Sequence, residues 1–328
     1  MTTAFEPHPL IPGGQLQTLV AYCFAAAPRL APQETLFVTL GDGDRLSLDV
    51  NYPHEVSDRT PIVYLMHGLG GCSESAYKLR IAAKLTAQGF RVVRHNHRGC
   101  GRFGEGARGI YHSGSTLDVL AGLREVAQRW SDAPLLPIGF SLSGTMLLNL
   151  LGTHLTRREE LPQVQAAMSV CAPIDLHQSS AAIGALRNKH FDTFYSRTLI
   201  RQLLGRRIID SAFAETELRA ANLRLIDEIV TAPRGGFRDA EHYYESCSPK
   251  HVVANIRIPT LVLEAADDPI VPPQSVVQAA YSTRALLSLE RSGGHLGFIS
   301  REPTAAGDHR WLDQFIGRWV REQSRFGG

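Results

Sequence analysis

The chain has 328 residues, of which 44% are hydrophobic and 20% are charged, and its formal net charge is +2. This composition is typical of a globular protein with a sizeable core and excludes a disordered chain. Because Lys and Arg are interspersed with Asp and Glu rather than gathered in blocks, we expect no nucleic acid among the partners.

Cysteine usage and apolar segments bear on the cellular setting. The five cysteines lie at wide spacings without a C-x-x-C pair, which indicates a reduced, cytoplasmic environment. Residues 19–27 resemble a signal core, but no Lys or Arg precedes them and they are much shorter than the roughly 20 apolar residues of a membrane span. We expect them to form a buried N-terminal helix within an N-terminal extension over residues 1–30, and we expect no integral membrane span.

Short strand-like runs alternate with longer helical patterns along the chain. Residues 36–40 and 46–52 flank Gly41, Asp42 and Gly43, which predicts a β-hairpin. The later predicted strands cover residues 62–66, 90–95, 135–140, 166–171, 260–263 and 285–289. The predicted helices between and after them cover residues 73–88, 117–130 and 306–322.

This alternation predicts an α/β fold with a mostly parallel central sheet and helices on both faces. Between about residues 176 and 253 the alternation stops, and Phe191, Phe194 and Tyr195 lie on one helical stripe. We interpret this segment as a helical lid inserted into a single domain, whose core covers about residues 30–175 and 254–328. The three aromatic residues are candidates to line a pocket, although such a stripe is also typical of core packing.

A serine-rich turn stands where the strand 135–140 must become a helix. It reads Gly139-Phe140-Ser141-Leu142-Ser143-Gly144 and matches the nucleophile elbow of serine hydrolases. Ser143 occupies the place of the usual second glycine of G-x-S-x-G, and we expect its small side chain to be tolerated. Ser143 itself would be a poorer nucleophile, because no glycine lies two positions to either side of it. The sequence therefore favours Ser141, with a plain turn as the alternative.

A glycine-rich loop follows the buried strand 62–66. It reads His67-Gly68-Leu69-Gly70-Gly71, and its glycines allow the backbone to approach a substrate carbonyl. In this geometry the N–H groups of Leu69 and Leu142 would form an oxyanion hole for the oxygen that becomes negative in acyl transfer. A tight turn without chemistry is the alternative for such a loop.

Loops after later strands carry a candidate acid and base. Asp267 and Asp268 follow the strand 260–263, and Asp175 follows the preceding strand, with loop capping as the alternative for all three. Related enzymes place the acid two residues ahead of a hydrophobic pair, which favours Asp268. His295 is one of 13 histidines, and its place after the last strand singles it out because the chain order is then Ser, Asp, His.

His95 and His97 form an H-x-H pair beside another glycine-containing turn. Such a pair can be mistaken for two metal ligands. No carboxylate or cysteine cluster at ligand spacing accompanies it in the sequence, so we predict no metal there.

Several separate blocks, in the same order, resemble the YheT-like branch of the α/β-hydrolases, to which plant embryogenesis-associated proteins belong. Besides the elbow, the glycine-rich loop and the acid and base loops, the blocks are Gly14-Gln15-Leu16-Gln17-Thr18-Leu19 and Asn96-His97-Arg98-Gly99-Cys100-Gly101. The resemblance implies an α/β-hydrolase fold, a carboxylic ester as substrate, the triad Ser141, Asp268 and His295, and no cofactor.

The sequence thus predicts a serine hydrolase that cleaves small-molecule carboxylic esters of short- to medium-chain acyl groups through an acyl-enzyme intermediate. The first alternative is an acyltransferase on the same fold, which uses an alcohol or a thiol in place of water. The alternative of another class is a binding protein that keeps the fold without catalysis, against which the three triad residue types argue.

Overall fold

A central sheet of eight strands organises the part of the chain that the computed structural model describes, residues 5–157, 160–209 and 222–325. Its strands are β1 (Glu34–Thr39), β2 (Arg45–Asn51), β3 (Ile62–Met66), β4 (Arg91–Asn96), β5 (Leu135–Phe140), β6 (Ala167–Val170), β7 (Thr260–Ala265) and β8 (Ala285–Glu290). Their order is β1-β2-β4-β3-β5-β6-β7-β8. Strand β2 is antiparallel to both neighbours, and all other pairs are parallel. The predicted mostly parallel sheet is confirmed.

Helices cover the sheet and extend beyond its edge. They are α1 (Gly14–Cys23), α2 (Ala76–Ala87), α3 (Thr116–Arg129), α4 (Leu142–Thr153), α5 (Leu176–Gly184), α6 (Lys189–Gly205), α7 (Leu223–Ile226), α8 (Ala232–Arg234), α9 (Ala240–Cys247), α10 (Pro273–Val277) and α11 (Trp311–Arg325). A π-helical turn, Asp227–Thr231, joins α7 to α8. None of the described helices is both long and apolar enough to cross a membrane.

The alternation of side chains along β3 divides the core into two layers. Tyr64 and Met66 point to a buried cluster that includes residues of α3 and α4, whereas Val63 and Leu65 point to a cluster with residues of α2 and α11. All four side chains are fully buried. Burying an apolar side chain stabilises the fold by about 1.5–3 kcal/mol, so β3 is held from both faces.

The last helix begins later than the sequence predicts, at Trp311 instead of near residue 306. The reason is a turn closed by Asp308, whose carboxylate accepts hydrogen bonds from the Thr304 hydroxyl at 2.8 Å and from the Arg310 N–H at 3.0 Å. An Asp that bonds the local backbone competes with helix formation, so the helix begins after it.

The expectation of a buried N-terminal helix over residues 19–27 is wrong. The helix begins earlier and buries its polar start, including Gln17 and Thr18, while Tyr22 and the following Phe24 are 60% and 72% exposed. The side-chain amide of Gln17 donates to the carbonyls of Ile11 and Ile299. Because these polar side chains find backbone partners in the interior, the helix turns them inward and its apolar end outward.

Candidate active site

The backbone at Ser141 is bent sharply between β5 and α4. Its φ of 52° is a left-handed value that costs a serine about 1–3 kcal/mol. Close packing enforces the bend, because a Cβ at Gly139 would lie 2.4 Å from the Ser143 carbonyl oxygen and one at Gly144 would lie 2.7 Å from the Ala172 Cβ. The turn therefore lifts the Ser141 hydroxyl out of the sheet edge and admits only glycine at these two flanking positions.

The structure brings Ser141, His295 and Asp268 into one hydrogen-bonded row. His295 Nε2 lies 2.9 Å from the Ser141 Oγ, and His295 Nδ1 lies 2.8 Å from the Asp268 Oδ2. The other Asp268 oxygen accepts the N–H groups of Ile270 and Val271 at 2.7 and 2.9 Å. These contacts fix the carboxylate, and the carboxylate orients the imidazole so that Nε2 can take a proton from Ser141.

The two competing aspartates are used elsewhere in the described structure. Asp267 Oδ1 accepts the N–H of Gly294 at 2.9 Å and so supports the loop that carries His295. Asp175 is the N-cap of α5, where it accepts the His177 N–H, and its other oxygen pairs with Lys250 at 3.0 Å. Both arrangements agree with the capping alternative rather than with a carboxylate that orients an imidazole.

Residues of α1 position the His295 loop, and the sequence reasoning missed them. The Thr18 hydroxyl accepts the N–H of His295 at 2.8 Å and donates to the Gly14 carbonyl at 2.6 Å. Gln17 Oε1 accepts the N–H of Ile299 at 2.7 Å, a few residues further along the same loop. The available signal was the block from Gly14 to Leu19, which the family resemblance included without giving it a role.

The glycine-rich loop and the start of α4 lie together beside Ser141. A Cβ at Gly68 would lie 3.1 Å from the Ser141 Cβ, so the loop contacts the elbow directly. Leu142 is the first residue of α4, and its N–H has no acceptor in a preceding helical turn. Leu69 and Leu142 line the same cavity as Ser141. The two N–H groups predicted for an oxyanion hole thus belong to residues that border the serine.

Ser143 connects these two halves of the site. Its hydroxyl donates to the carbonyl oxygen of His67, which precedes the glycine-rich loop, and accepts a hydrogen bond from His97 Nε2 at 2.6 Å. The side chain is fully buried. Ser143 therefore has a structural role at the position where a glycine is usual, because its hydroxyl joins the glycine-rich loop to the turn that carries Ser141. Because the Ser143 hydroxyl is buried and bonded to His67 and His97, it is not accessible as a nucleophile.

The contact of Ser143 continues into a buried chain of hydrogen bonds. His95 Nε2 lies 3.0 Å from His97 Nδ1, and the Tyr64 hydroxyl lies 2.7 Å from His95 Nδ1. The His67 carbonyl can only accept, so the Ser143 hydroxyl must donate to it. The same direction then holds along the chain: His97 Nε2–H donates to Ser143, His95 Nε2–H donates to His97 Nδ1, and the Tyr64 hydroxyl donates to His95 Nδ1. That direction gives both imidazoles one proton each and leaves them neutral.

Burial keeps these histidines neutral. It lowers the pKa of His97 to about 3, with further lowering from Lys78, and it holds the pKa of His95 and His67 well below the usual range. Lys78 donates to the His95 carbonyl at 2.8 Å, and burial lowers its pKa to about 7. The H-x-H pair thus takes part in a neutral hydrogen-bonded support for the site.

A second buried carboxyl group lies behind the acid of the row. Burial, together with the charge of Asp268, raises the pKa of Glu264 well above its usual range. Glu264 Oε1 accepts the N–H of Ala172 at 2.5 Å. The raised pKa favours the neutral form of Glu264, so this carboxyl group adds little charge beside the hydrogen-bonded row.

A mostly apolar cavity adjoins Ser141. Apolar residues from the helical segment form much of its wall, namely Leu176, Ile183, Tyr195, Leu199 and Leu203. Of the three aromatic candidates, Tyr195 lines the cavity, whereas Phe191 belongs to the core cluster and Phe194 packs on Tyr22 with 4.5 Å between ring centroids. Of the three candidates, Tyr195 therefore lies at the cavity, whereas the packing alternative applies to Phe191 and Phe194.

Residues 61–302 match the model of the alpha/beta hydrolase fold family, so the chain belongs to that family. It is similar to the YheT protein of Escherichia coli, with 29% identity over 93% of this chain and 89% of that protein. It is 30% identical to "Medium-chain fatty acid ethyl ester synthase/esterase 2" of Saccharomyces cerevisiae over 74% of this chain and 59% of the relative. An esterase structure from Exiguobacterium antarcticum shares the fold, with a TM-score of 0.54 and 15% identity over 89% of this chain and 100% of that one.

These findings confirm the YheT-like resemblance and the α/β-hydrolase fold that the sequence predicts. They also agree with the predicted class of enzyme, a carboxylesterase-like hydrolase.

We predict that Ser143→Ala lowers both stability and turnover. The change leaves the buried His97 N–H and His67 carbonyl without a partner, which costs about 1–3 kcal/mol of folding free energy for each group. It also loosens the glycine-rich loop beside Ser141. Turnover of an activated ester should fall roughly tenfold or more with little change in KM, because the lost support acts on the transition state. Denaturant unfolding and steady-state kinetics measure the two effects.

A matched control is Ser47→Ala, which removes a buried hydroxyl that bonds Asn96 on the sheet. It should lower stability without the loss in turnover. Full activity in Ser143→Ala, or equal losses of turnover in both variants, would contradict the role of Ser143.

Proposed function

We propose that the chain is a serine hydrolase that cleaves carboxylic esters of short- to medium-chain acyl groups. The observation that supports this most is the row from Ser141 through His295 to Asp268, with contacts of 2.9 and 2.8 Å, at the wall of an apolar cavity. Ser141 is the proposed nucleophile, His295 the general base and Asp268 the acid that orients it. We further propose that the helical segment of residues 176–253, of which the structure describes 176–209 and 222–253, forms the lid of this site.

The proposed reaction has two halves. In the first, the Ser141 Oγ attacks the ester carbonyl while its proton passes to His295 Nε2, and Asp268 stabilises the resulting imidazolium. The oxyanion is bound by the N–H groups of Leu69 and Leu142 until the C–O bond breaks and the alcohol leaves with the proton from His295. In the second half, water attacks the acyl-enzyme and gives its proton to His295. The bond between the acyl carbon and the Ser141 Oγ then breaks, His295 returns the proton to the Oγ, and the carboxylic acid leaves.

The names of the relatives support ester chemistry with medium-chain acyl groups. The yeast relative is named both as an ethyl ester synthase and as an esterase. That double name is the specific observation that favours a second candidate, acyl transfer to an alcohol in place of water. The two reactions share the acyl-enzyme, so an assay of products with and without added ethanol distinguishes them by measuring the ratio of ethyl ester to free acid.

We predict that a fluorophosphonate probe labels Ser141 and that Ser141→Ala abolishes both labelling and hydrolysis of p-nitrophenyl esters from acetate to palmitate. The removal of one partly buried hydroxyl at the cavity wall should leave the unfolding transition nearly intact. Mass spectrometry of the labelled peptide identifies the modified serine. Labelling that persists in Ser141→Ala and disappears in Ser143→Ala would overturn the assignment.

We predict that Asp268→Asn reduces kcat by about 10⁴-fold, the size of loss known for the buried acid of such a triad. Asp267→Asn and Asp175→Asn serve as matched controls, because they bond the His295 loop and the start of α5 without orienting the imidazole. Each should lose much less turnover in steady-state assays. Equal losses for Asp267→Asn and Asp268→Asn, or the largest loss for Asp175→Asn, would count against Asp268.

We predict that Tyr195→Ala shifts the preferred acyl chain towards longer esters, because it enlarges the wall of the cavity. Each methylene that fits into such a pocket is worth on the order of 1–3 kcal/mol in discrimination. Phe194→Ala is the control, since that ring packs on Tyr22 outside the cavity wall. The p-nitrophenyl series measures the profile, and an unchanged profile in Tyr195→Ala, or the same shift in both variants, would rule out this placement of the acyl chain.

A further inference from the structure

A group of polar side chains interrupts the apolar wall of the cavity on the side of the helical segment. Ser179 of α5, Asp227 and Thr231 of the π-helical turn, and Tyr244 of α9 line the same cavity as Ser141. We name these four residues the cap cluster. In binding pockets that are otherwise apolar, a few convergent polar groups fix the orientation of a ligand and provide specificity.

Ser179 offers the first sign that the cap cluster is made for a ligand. Its side chain is 3% exposed, and its Oγ has no hydrogen-bond partner in the described structure. Buried hydroxyl groups in folded proteins nearly always have a partner, since a group that lacks one costs stability. Ser179 also borders the cavity, so a polar group on a ligand that displaces its neighbours slightly can supply the partner that this buried hydroxyl lacks.

Asp227 offers the second sign. Its carboxylate accepts a hydrogen bond from the Tyr244 hydroxyl at 2.8 Å and another from the Thr231 hydroxyl, yet burial outweighs both and raises its pKa to about 6. A carboxylate has about four acceptor sites, so these two donors leave capacity unused. The cation that acts on it, Arg224, is half-exposed and pairs with Glu241 at the surface. Arg206 also lines the cavity, but its guanidinium bonds the carbonyls of Ala107 and Gly109. In the described part of the chain, Asp227 therefore has hydroxyl partners but no ion-pair partner.

The local backbone supports the same conclusion. Asp227 and Thr231 are the first and last residues of the π-helical turn. Such turns are rare inside α-helices and occur frequently at functional sites. Here the turn places two polar side chains of one helical segment on the cavity wall, beside the Tyr244 hydroxyl, which also accepts a hydrogen bond from Ser180 at 3.1 Å.

We propose that the cap cluster binds a hydrogen-bond donor on the substrate, a hydroxyl or a primary ammonium group, carried several bonds away from the ester linkage. Asp227 and Ser179 accept from this donor, and the apolar wall holds the methylene chain between it and the ester carbon. The preferred substrates are then esters with a polar tip rather than plain alkyl esters. This inference rests on the proposed hydrolase function and names the class of substrate for it.

The test uses two matched series of esters with the same number of heavy atoms. One varies the acyl part, as ethyl heptanoate, 6-hydroxyhexanoate and 6-aminohexanoate, and the other varies the alcohol part, as heptyl, 6-hydroxyhexyl and 6-aminohexyl acetate. Titration of the released acid gives kcat/KM for each. In at least one series the polar-tipped ester should be preferred over the plain ester by roughly tenfold or more, the effect of hydrogen bonds to a buried charged group.

Variants test whether the cap cluster produces that preference. Asp227→Asn keeps the shape and can still accept from Tyr244 and Thr231, and it should reduce the ratio of the two kcat/KM values to near one for the ammonium ester. Ser179→Ala should reduce the ratio for both polar tips, and it provides a second test should Asp227→Asn fold poorly. Glu241→Gln removes an exposed carboxylate from the same segment and should keep the wild-type ratio.

A binding measurement separates this inference from the proposed function. Calorimetry on Ser141→Ala with heptan-1-ol, hexane-1,6-diol and 6-aminohexan-1-ol needs no turnover and should show tighter binding of a polar-tipped alcohol. Ratios near one in both ester series, or equal binding of the three alcohols, would overturn the inference even if plain esters are hydrolysed. So would a preference that survives in Asp227→Asn and Ser179→Ala, because these residues would then have only a structural role.

Discussion

The hydrogen bond from the Ser143 hydroxyl to the His67 carbonyl joins the two loops on which the rest of the site depends. One loop carries Ser141 with its strained φ of 52°, and the other approaches Ser141 through Gly68. Strained backbone persists only where the surroundings over-determine it. Strands β3 and β5 pair in parallel, so the two loops that follow them lie at the same edge of the sheet. This arrangement alone does not fix the distance between the two loops. The buried hydroxyl of Ser143 sets that separation.

The position of His295 depends on a different constraint, because this residue lies on a loop far along the chain from Ser141. Hydrogen bonds from two separate segments hold that loop. Thr18 accepts its backbone N–H at His295, and the adjacent Asp267 and Asp268 bond Gly294 and the imidazole. Catalytic geometry tolerates displacements of well under 1 Å, so a loop residue needs such support. Helix α1 is therefore part of the site's framework, which explains why it buries a glutamine and a threonine.

The sequence was sufficient to predict the sheet and its crossovers from periodicity, and Ser141 and His295 from the elbow motif and chain order. For the third residue of the row, the sequence favoured Asp268 only through the pattern of related enzymes. It was insufficient where a role depends on a partner distant in the chain. The role of Ser143 depends on its hydrogen bonds with His67 and His97, and the role of Thr18 depends on its hydrogen bond with His295. Asp227 stands in no motif, and its role depends on helices that only folding brings together. Short polar side chains with distant backbone partners leave no periodic pattern in a sequence.

The distribution of charge connects the site to the cavity. On the sheet side, burial lowers the pKa of His97 and raises the pKa of Glu264, so the neutral forms of both groups are favoured beside the hydrogen-bonded row. On the cap side, Asp227 is buried with hydroxyl partners and a pKa of about 6. A buried charge without a cation is costly to folding. A ligand that brings a hydrogen-bond donor to Asp227 would offset this cost, so the proposed polar-tipped ester would stabilise the cap side of the cavity as it binds.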